Sequence, residues 1–389
     1  MFQTFYRRFL EANPGVQHFA CHSHYYWPDI TRQAMLDYWD DSARFVDDKW
    51  DYWFSEKIPA VQQHIARVLN TEQPEQIVFA PNTHEFVFRL MTCLPFDRPI
   101  SILTTDSEFH SFNRQSRRFE ELANVTVHRV PAAPFETFNQ RFEQALASQH
   151  YDMVFLSHVF FNSGVQVDAL PQLVNAVQDD DTMVVIDGYH AFMAVPVDLS
   201  EIKHRVFYLA GGYKYAQGGE GGCFMHVPKG SAQRPLYTGW FAEFGELSQS
   251  KGNEVSYSKD AMRFAGSTMD FSALYRLHSV FELFAEHRLD VRQIDGFIKQ
   301  RQQQFLTHID GLHSPWLNRQ RLIQHDAQLH GHFLAFELDN EQQVGKLQAY
   351  LHAHNIATDG RGKRLRFGFA LYHDGLQYDL SCIKEFSGE

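Results

Sequence analysis

Short apolar runs alternate with amphipathic stretches through the middle of the chain. Six runs of five or six residues rich in Val, Ile, Leu, Phe and Met have the pattern of buried strands, and the stretches between them have apolar residues at helical spacing. The predicted strands are 76–80, 100–105, 125–130, 153–157, 183–187 and 206–210, with a further strand at 222–227 that could run antiparallel; the predicted helices are 85–93, 111–122 and 169–178. This alternation indicates a parallel sheet covered by helices.

The pattern changes in the last third of the chain. A helix with apolar residues at helical spacing is predicted at 271–286, a long polar helix at 291–306, and strands at 333–338 and 365–369. We therefore predict an α/β protein with two domains. A large domain at 50–270 has a mainly parallel, seven-stranded sheet, and a smaller α+β domain combines both termini, 1–49 and 271–389.

Composition restricts the class of protein. The chain has 389 residues, 44% hydrophobic and 15% aromatic, which is enough for a substantial core. The net charge of −12 argues against nucleic-acid or anionic-membrane partners. We find no apolar run of about 18 residues and no apolar core near the N-terminus, so neither a membrane span nor a signal peptide is expected.

Cysteine and histidine usage gives two further expectations. The four cysteines are far apart and form no CxxC pair, which disfavours a disulfide framework or a structural zinc site and fits a cytoplasmic location. The 22 histidines include pairs such as His22 with His24 and His352 with His354, but no helix has convergent ligand spacing. No metal site is predicted.

The most informative chemistry lies between residues 184 and 222. Asp187 follows an apolar run, Lys214 stands between Tyr213 and Tyr215, and a glycine-rich segment follows at 218–222. Pyridoxal phosphate (PLP) needs a Lys that forms a Schiff base and an acid that keeps its ring nitrogen protonated. The Lys must attack as a neutral amine, so its pKa has to fall. The spacing alone is also compatible with a surface Lys in a glycine loop and an Asp that ends a strand.

Three other loops follow predicted strands, and ligands of open α/β sheets collect at the carboxyl ends of strands. Asn82 and Thr83 precede a helix and could bind a phosphate or could simply cap that helix. Phe109 could stack on a cofactor ring or could be a buried loop residue. The segment 161–164 could contact the ring hydroxyl or form a turn.

Taken together with the motifs given below, these residues make the chain resemble the class V branch of the PLP-dependent aminotransferase-fold enzymes. Within that branch it resembles kynureninase. The likeness spans roughly residues 20 to 375. The motifs that carry it are Asp187-Gly188-Tyr189-His190, Tyr213-Lys214-Tyr215, Gly239-Trp240-Phe241, Phe264-Ala265-Gly266-Ser267-Thr268, and Leu365-Arg366 with Leu371-Tyr372-His373 downstream.

The resemblance implies the type I, aspartate aminotransferase-like fold of PLP enzymes, and a role for each matched residue. Lys214 would form the Schiff base and Arg366 would bind the carboxylate of an amino-acid substrate. The implied cofactor-binding residues are Asp187 at the ring nitrogen, His190, Tyr213, Asn82, Thr83, Phe109, Ser267, Thr268 and Trp240. Ser23 and His24 join Arg366 in the implied substrate set. The resemblance also implies a homodimer in which Trp240 and Ser267 reach the partner's site.

The chain departs from the kynureninase pattern on the substrate side. Thr268 replaces an Asn, the segment 242–244 replaces Gly-His-Glu, and Phe112 replaces an acid. Three hypotheses follow: a kynureninase-like C–C lyase or hydrolase, a class V aminotransferase, and a non-catalytic PLP-binding protein. A cysteine desulfurase would need a mobile Cys before Arg366, and the sequence from 312 to 363 contains no Cys.

Overall fold

The computed structural model describes residues 2–246 and 254–388. Among the described residues, seven strands form one sheet in the order β2–β8–β7–β6–β5–β3–β4. The strands of this sheet are β2 (Ile77–Ala80), β3 (Ile100–Thr105), β4 (Val125–Val130), β5 (Met153–Ser157), β6 (Met183–Asp187), β7 (Val206–Gly211) and β8 (Cys223–His226). Within the described sheet, β8 runs opposite to both of its neighbours, β2 and β7, and every other pair is parallel. The predicted seven-stranded, mainly parallel sheet is therefore confirmed.

Helices pack around this sheet and also occur in the rest of the described chain. Those of the described residues are α1 (Arg7–Ala12), α2 (Ile30–Phe45), α3 (Lys49–Tyr52), α4 (Ile58–Val68), α5 (Thr83–Met91), α6 (His110–Phe119), α7 (Phe138–Leu146), α8 (Leu170–Asn175), α9 (Ser272–Glu286), α10 (Val291–Asp310) and α11 (Glu341–Ala353). A π-helical segment, Trp53–Lys57, joins α3 to α4. No helix of the described residues is long and apolar enough to cross a bilayer.

Local chemistry explains why some observed helix boundaries and strand directions differ from simple expectation. Helix α5 begins two residues earlier than predicted because Asn82 caps it: the side-chain Oδ1 accepts from the Glu85 N–H at 2.9 Å. Strand β8 is antiparallel because the short connection after β7 leaves no room for the crossover helix that a parallel pair requires. Helix α8 is shorter than predicted and ends before the acidic turn at 179–181.

The C-terminal third contains a second, antiparallel sheet in the order β11–β12–β9. Its strands are β9 (Phe333–Glu337), β11 (Asp359–Arg361) and β12 (Arg364–Gly368). The N-terminal segment joins this part of the chain, since β1 (Gln17–His18) pairs in parallel with β10 (Ile356–Ala357). This pairing supports our assignment of 1–49 and 271–389 to one small domain and of 50–270 to the large one, which stays a proposal.

Candidate cofactor and substrate site

A cavity of about 210 Å³ lies at the carboxyl edge of the seven-stranded sheet. Strand β6 ends at Asp187, and the loop that follows β7 carries Lys214. The predicted site residues that line this cavity are Asn82, Thr83, Phe109, Asp187, His190, Tyr213 and Lys214. The fold thus brings these seven residues together around one cavity. The predicted cofactor residues Trp240, Ser267 and Thr268 do not line it.

Lys214 is buried and lies against His190. Its Nζ is 2.6 Å from Nε2 of the imidazole, within hydrogen-bonding distance. Burial lowers the pKa of Lys214 to about 7, a fall that Asp187 opposes and Arg366 reinforces. Burial and the charge of Lys214 also hold the pKa of His190 well below its usual range. Both groups are therefore mostly neutral above pH 7, which is the state a nucleophilic amine requires.

Asp187 is the partly exposed residue at the end of an otherwise buried strand, and its exposed surface faces the cavity. Its Oδ1 accepts a hydrogen bond from the Tyr189 N–H at 2.9 Å. Desolvation raises the pKa of Asp187, while that hydrogen bond and Lys214 oppose the rise. Gly188 is required next to it, because a Cβ there would lie 2.0 Å from the ring of Tyr208. A cationic partner in the cavity would stabilise this carboxylate.

Aromatic rings surround the amine of Lys214. Its Nζ lies 5.0 Å from the ring centre of Tyr189, 5.3 Å from that of Phe109 and 5.7 Å from that of Tyr213. Phe161 packs edge-on against Phe109, with ring centres 5.4 Å apart. Tyr189 was not assigned a role from the sequence, although it lies inside the Asp187-to-His190 motif. These rings exclude water from the amine and offer faces for a planar ligand.

The N-terminus of α5 forms another wall of the cavity. The alternative role predicted for Asn82, a helix cap, is confirmed. Asn82 engages the Glu85 N–H, other N–H groups of a first helical turn have no partner within the helix, and Thr83 and His84 line the cavity. A helix N-terminus favours a phosphate through these N–H groups and the helix dipole.

The glycine-rich loop that follows Lys214 is clamped from two directions. Arg276 on α9 donates from Nε to the carbonyl of Gly218 at 2.7 Å. Tyr6 from the N-terminal segment donates to Oε1 of Gln217 at 2.5 Å. Gln217 has φ +60°, a left-handed conformation that these contacts stabilise. The loop position, and with it the position of Lys214, therefore depends on both the N-terminal segment and α9.

Arg366 is buried behind the cavity and does not line it among the described residues. Its guanidinium donates to the Asp359 carboxylate and to the carbonyl of Phe161, whose side chain is a cavity wall. Nε of Arg366 has no hydrogen-bond partner among the described residues. In this conformation, Nε is a donor still available to a substrate carboxylate.

Asp359 was missed from the sequence. His22 Nε2 lies 3.5 Å from its Oδ2, so the carboxylate stands between an imidazole and a guanidinium. Burial acts to raise the pKa of Asp359, but the His22 contact and the Arg366 charge together hold it at about 2. The sequence did contain a signal for this contact. A tight turn at Gly362 (φ +54°) pairs Arg361 with Arg364, and the same strand register places Asp359 opposite Arg366.

The remaining predicted residues lie elsewhere in this chain. Ser267 and Thr268 line a separate pocket of about 130 Å³, together with Arg89. Trp240 is 37% exposed and packs on Trp50. A single chain therefore does not bring these three to Lys214, and their cofactor role stays a prediction that needs a partner subunit.

The two residues predicted near the substrate from the N-terminal segment have different surroundings. His24 is exposed, and its ring centre lies 6.3 Å from that of Tyr213, a cavity residue. Ser23 forms part of a turn, with its N–H donating to the Ala20 carbonyl at 2.9 Å. His24 can thus approach a ligand at the edge of the cavity, while the role of Ser23 stays untested.

Four further residues that the sequence analysis quoted or compared lie near the site in structural roles. Phe112, which replaces an acid of the kynureninase pattern, is buried and stacks on Phe155 at 3.6 Å. Asn162 donates to Ser107 at 3.2 Å, and Gly164 (φ +72°) completes a turn, so the alternative of a turn at 161–164 is confirmed. Burial raises the pKa of the Cys223 thiol to about 11, which keeps it from acting as a thiolate near neutral pH.

Glu108 is a buried acid that the sequence analysis quoted without assigning a role. Its carboxyl group accepts from Ser157 Oγ at 2.5 Å and from Thr105 Oγ1 at 2.7 Å. Burial raises the pKa of Glu108 to about 7, while those hydrogen bonds oppose the rise and the charge of Asp187 adds to it. Glu108 ties the loop that carries Phe109 to the end of β5.

These features fit PLP on chemical grounds. A protonated ring nitrogen would relieve the desolvated Asp187 carboxylate, and a neutral Lys214 amine suits an aldehyde. The α5 N-terminus suits a phosphate. In addition, Nδ1 of His190 is buried without a hydrogen-bond partner among the described residues, so a polar group of a bound ligand can satisfy it.

Comparison with known proteins agrees with this geometry. The family model of class V aminotransferases matches residues 34–366. No curated protein matches the sequence. Similar solved structures include the cystine C–S lyase C-DES in complex with cysteine persulfide, with a TM-score of 0.80, 17% identity and 97% of both chains covered.

Two further similar structures are cysteine desulfurases. The apo enzyme from Thermococcus onnurineus NA1 has a TM-score of 0.74 and 16% identity, with 95% of this chain and 92% of that chain covered. CsdA from Escherichia coli has a TM-score of 0.75 and 15% identity, with 97% and 95% covered. At these identities the likeness shows the fold, while the family model covers most of the chain. The chain therefore belongs to the class V aminotransferase family of PLP-dependent enzymes.

Proposed function

We propose that this enzyme uses PLP to break a bond at the β carbon of a small amino acid. The observation that carries the proposal is the buried, neutral amine of Lys214, hydrogen-bonded to His190 and facing the cavity. Buried Arg366 behind the cavity adds a group suited to the α-carboxylate of an amino acid. Nε of this Arg has no hydrogen-bond partner among the described residues, which leaves it a donor for that carboxylate.

Each of these residues would have a separate task. When bound, PLP supplies an electron sink that weakens the bonds of the substrate's α carbon. Asp187 would hold the proton on the ring nitrogen, and Phe109 would cover the ring. Lys214, once displaced by substrate, is a neutral amine placed to accept the α-proton as general base. Arg366 would fix the carboxylate so that this proton faces Lys214.

Cleavage at the β carbon has two candidate outcomes. The kynureninase resemblance favours hydrolysis of a C–C bond next to a side-chain carbonyl. The similar solved structures, which include a C–S lyase, favour elimination of sulfur. A desulfurase that forms a persulfide on its own Cys is disfavoured, because Cys223 at the cavity is largely protonated and the span 312–363 contains no Cys.

A class V aminotransferase is the second candidate. The family model supports it, and the same Lys214, Asp187 and Arg366 would serve it. The difference would lie in the fate of the proton held by Lys214: in β-carbon cleavage it would go onto the product, whereas in transamination it would not return to the α carbon.

We also propose that the active unit is a homodimer. Ser267 and Trp240 lie outside the cavity of their own chain, so the roles implied for them by resemblance require a second copy. Exposed apolar side chains surround this segment: Leu236 is 74% exposed and Tyr237 is 45% exposed. Burial of such side chains is what stabilises a dimer interface.

Spectroscopy of the purified protein tests the proposal. The protein is loaded with PLP, freed of unbound cofactor, and titrated with kynurenine, 3-hydroxykynurenine, cysteine, cystine and alanine. Anthranilate-type fluorescence would establish C–C hydrolysis, and release of sulfide or persulfide would establish a C–S lyase. Quantitative conversion to pyridoxamine phosphate would establish an aminotransferase and overturn β-carbon cleavage. Absence of any cofactor absorption would overturn the whole assignment.

Arg366→Ala separates substrate binding from structure. We expect its KM to rise at least tenfold while the cofactor spectrum stays the same, since Arg366 does not line the described cavity. Loss of PLP in this variant would move Arg366 from substrate binding to the scaffold. Arg321→Ala, at a partly exposed Arg of the same part of the chain, is the matched control.

A further inference from the structure

Three side chains able to bind a metal ion meet where α4 packs against α9. His64 lies on α4, and His278 and Glu282 lie four residues apart on one face of α9. One ligand atom from each, an imidazole nitrogen or a carboxylate oxygen, lies within 4.8 Å of the other two. The sequence analysis predicted no metal site because it found no convergent ligand spacing on one helix, whereas this cluster is formed by the packing of two helices.

The distances converge on one carboxylate oxygen. His64 Nε2 lies 2.8 Å from Glu282 Oε1, and His278 Nε2 lies 3.9 Å from the same oxygen. Around a tetrahedral zinc ion with bonds of about 2.1 Å, neighbouring ligand atoms stand about 3.4 Å apart. The observed separations fall on both sides of that value, so small side-chain rotations are enough to complete the geometry.

The surroundings orient one imidazole and leave the cluster open to solvent. His64 stacks on Phe281 with ring centres 5.2 Å apart, which fixes the plane of its ring. The Glu282 side chain is 59% exposed, which leaves a path for an ion and room for a water as fourth ligand.

One nearby cation opposes a metal ion, but it is held by other contacts. The ammonium of Lys57 lies 4.6 Å from the ring centre of Tyr275 and 5.6 Å from that of Tyr52. These cation–π contacts place its charge over the aromatic faces beside the cluster.

We propose that His64, His278 and Glu282 form a binding site for a divalent transition-metal ion, with Zn²⁺ as the ion whose preferred ligands match best. Two imidazoles and one carboxylate are a ligand set that zinc uses, and they leave a fourth position open. The bound ion would cross-link α4 to α9. Because Arg276 on α9 also clamps the loop after Lys214, the ion would stabilise the helix that holds the cofactor loop.

Metal titration of the PLP-loaded enzyme tests this site. The enzyme is first treated with a chelator and then freed of unbound PLP, because free PLP itself binds metals. It is then titrated with Zn²⁺ by calorimetry and with Co²⁺ by visible absorption. We expect one ion per chain and a rise in Tm of several degrees. Binding of half an ion per chain, which indicates an ion shared between molecules, or absence of binding would overturn the proposal.

Variants identify the ligands. Glu282→Gln and His278→Ala should each weaken Zn²⁺ binding at least tenfold and abolish the rise in Tm. His352→Ala, an exposed helical His on α11, should change neither. Glu282 is exposed, so its variant is expected to fold even if His278→Ala does not. Equal affinities in Glu282→Gln and the wild type would assign the ion to other residues.

Discussion

Arg366 and Asp359 face each other across a register pair of the β11–β12 hairpin and form a buried ion pair. The Arg366 side chain is 3% exposed and that of Asp359 is 17% exposed. The guanidinium proposed to bind a substrate carboxylate thus already has a carboxylate partner supplied by the neighbouring strand. Substrate binding then adds a second anion to this group or displaces part of the first contact.

Asp359→Asn should destabilise the free enzyme and make its Tm respond more strongly to carboxylate ligands. The Asn can still accept a hydrogen bond, but a buried guanidinium is left without its counter-charge, at a cost on the order of 3 kcal/mol. We expect a Tm several degrees lower, and a rise in Tm on adding an amino-acid ligand that exceeds the rise in wild type. Equal ligand-induced shifts in the two proteins, measured by thermal scans, would argue against this coupling.

Lys214→Ala should abolish covalent attachment of PLP. Treatment with borohydride, which reduces a Schiff base, is expected to fix the cofactor on the peptide that contains residue 214 in wild type and on no peptide in the variant. Lys203→Ala, which removes a partly exposed Lys bonded to the Thr71 carbonyl, serves as control. Peptide mass spectrometry gives the readout, and label on another Lys of the variant would contradict our assignment.

The lowered pKa of Lys214 predicts a pH dependence. Only the neutral amine attacks, so the rate at which cofactor-free enzyme takes up PLP should rise with pH and level off above the pKa of about 7. Asp187→Asn removes a charge that raises this pKa, and should move the plateau to lower pH. Stopped-flow absorption measures both rates. A wild-type rate that still climbs at pH 9 or above would show an ordinary lysine.

Glu108 predicts a pH dependence of stability. Its pKa is raised from 4.5 to about 7, so the folded state holds the proton and the associated stability is present below pH 4.5 and lost as pH rises through 7. The effect is about 3 kcal/mol at most. Glu108→Gln should flatten the decline in Tm over this window, whereas Glu136→Gln, at an exposed Glu, should not. Parallel Tm curves for wild type and Glu108→Gln would assign the decline to other groups.

Subunit mixing tests the borrowed residues. Ser267→Glu places a negative charge where the partner's cofactor phosphate is predicted, so this variant and Lys214→Ala should each be inactive. If Ser267 serves the partner's site, mixed dimers hold one doubly damaged and one intact site, and activity should return to about a quarter of wild type. No recovery would place Ser267 in its own chain's site or outside catalysis. The double variant is the control that cannot recover.

The sequence predicted the sheet well because buried parallel strands are continuous apolar runs. Strand β6 ends at Asp187 as predicted, since the first charged residue after the run also ends the strand. Helix ends were less accurate: only the side-chain bond of Asn82 decides that α5 begins at Thr83. The residues around Lys214 were found because they are close to one another in sequence.

Contacts between distant segments were missed. The pairing of His22 with Asp359, and that of His64 with Glu282, join residues separated by hundreds of positions, and no local pattern marks them. Arg366 was predicted from its motif, but its position behind Phe161 depends on packing between the second sheet and the loop after β5.

The contacts of the first residues with the last ones have a consequence for biosynthesis. The backbone N–H of Phe2 donates to Asp374, 372 positions away, and β1 pairs with β10. On the ribosome, the segment around Phe2 is made long before Ile356 and Asp374 and cannot pair with them until they too have emerged. Tyr6 meets an earlier partner, because Gln217 in the loop after Lys214 precedes both of them in the chain, so this loop can be held before the β1–β10 pairing forms.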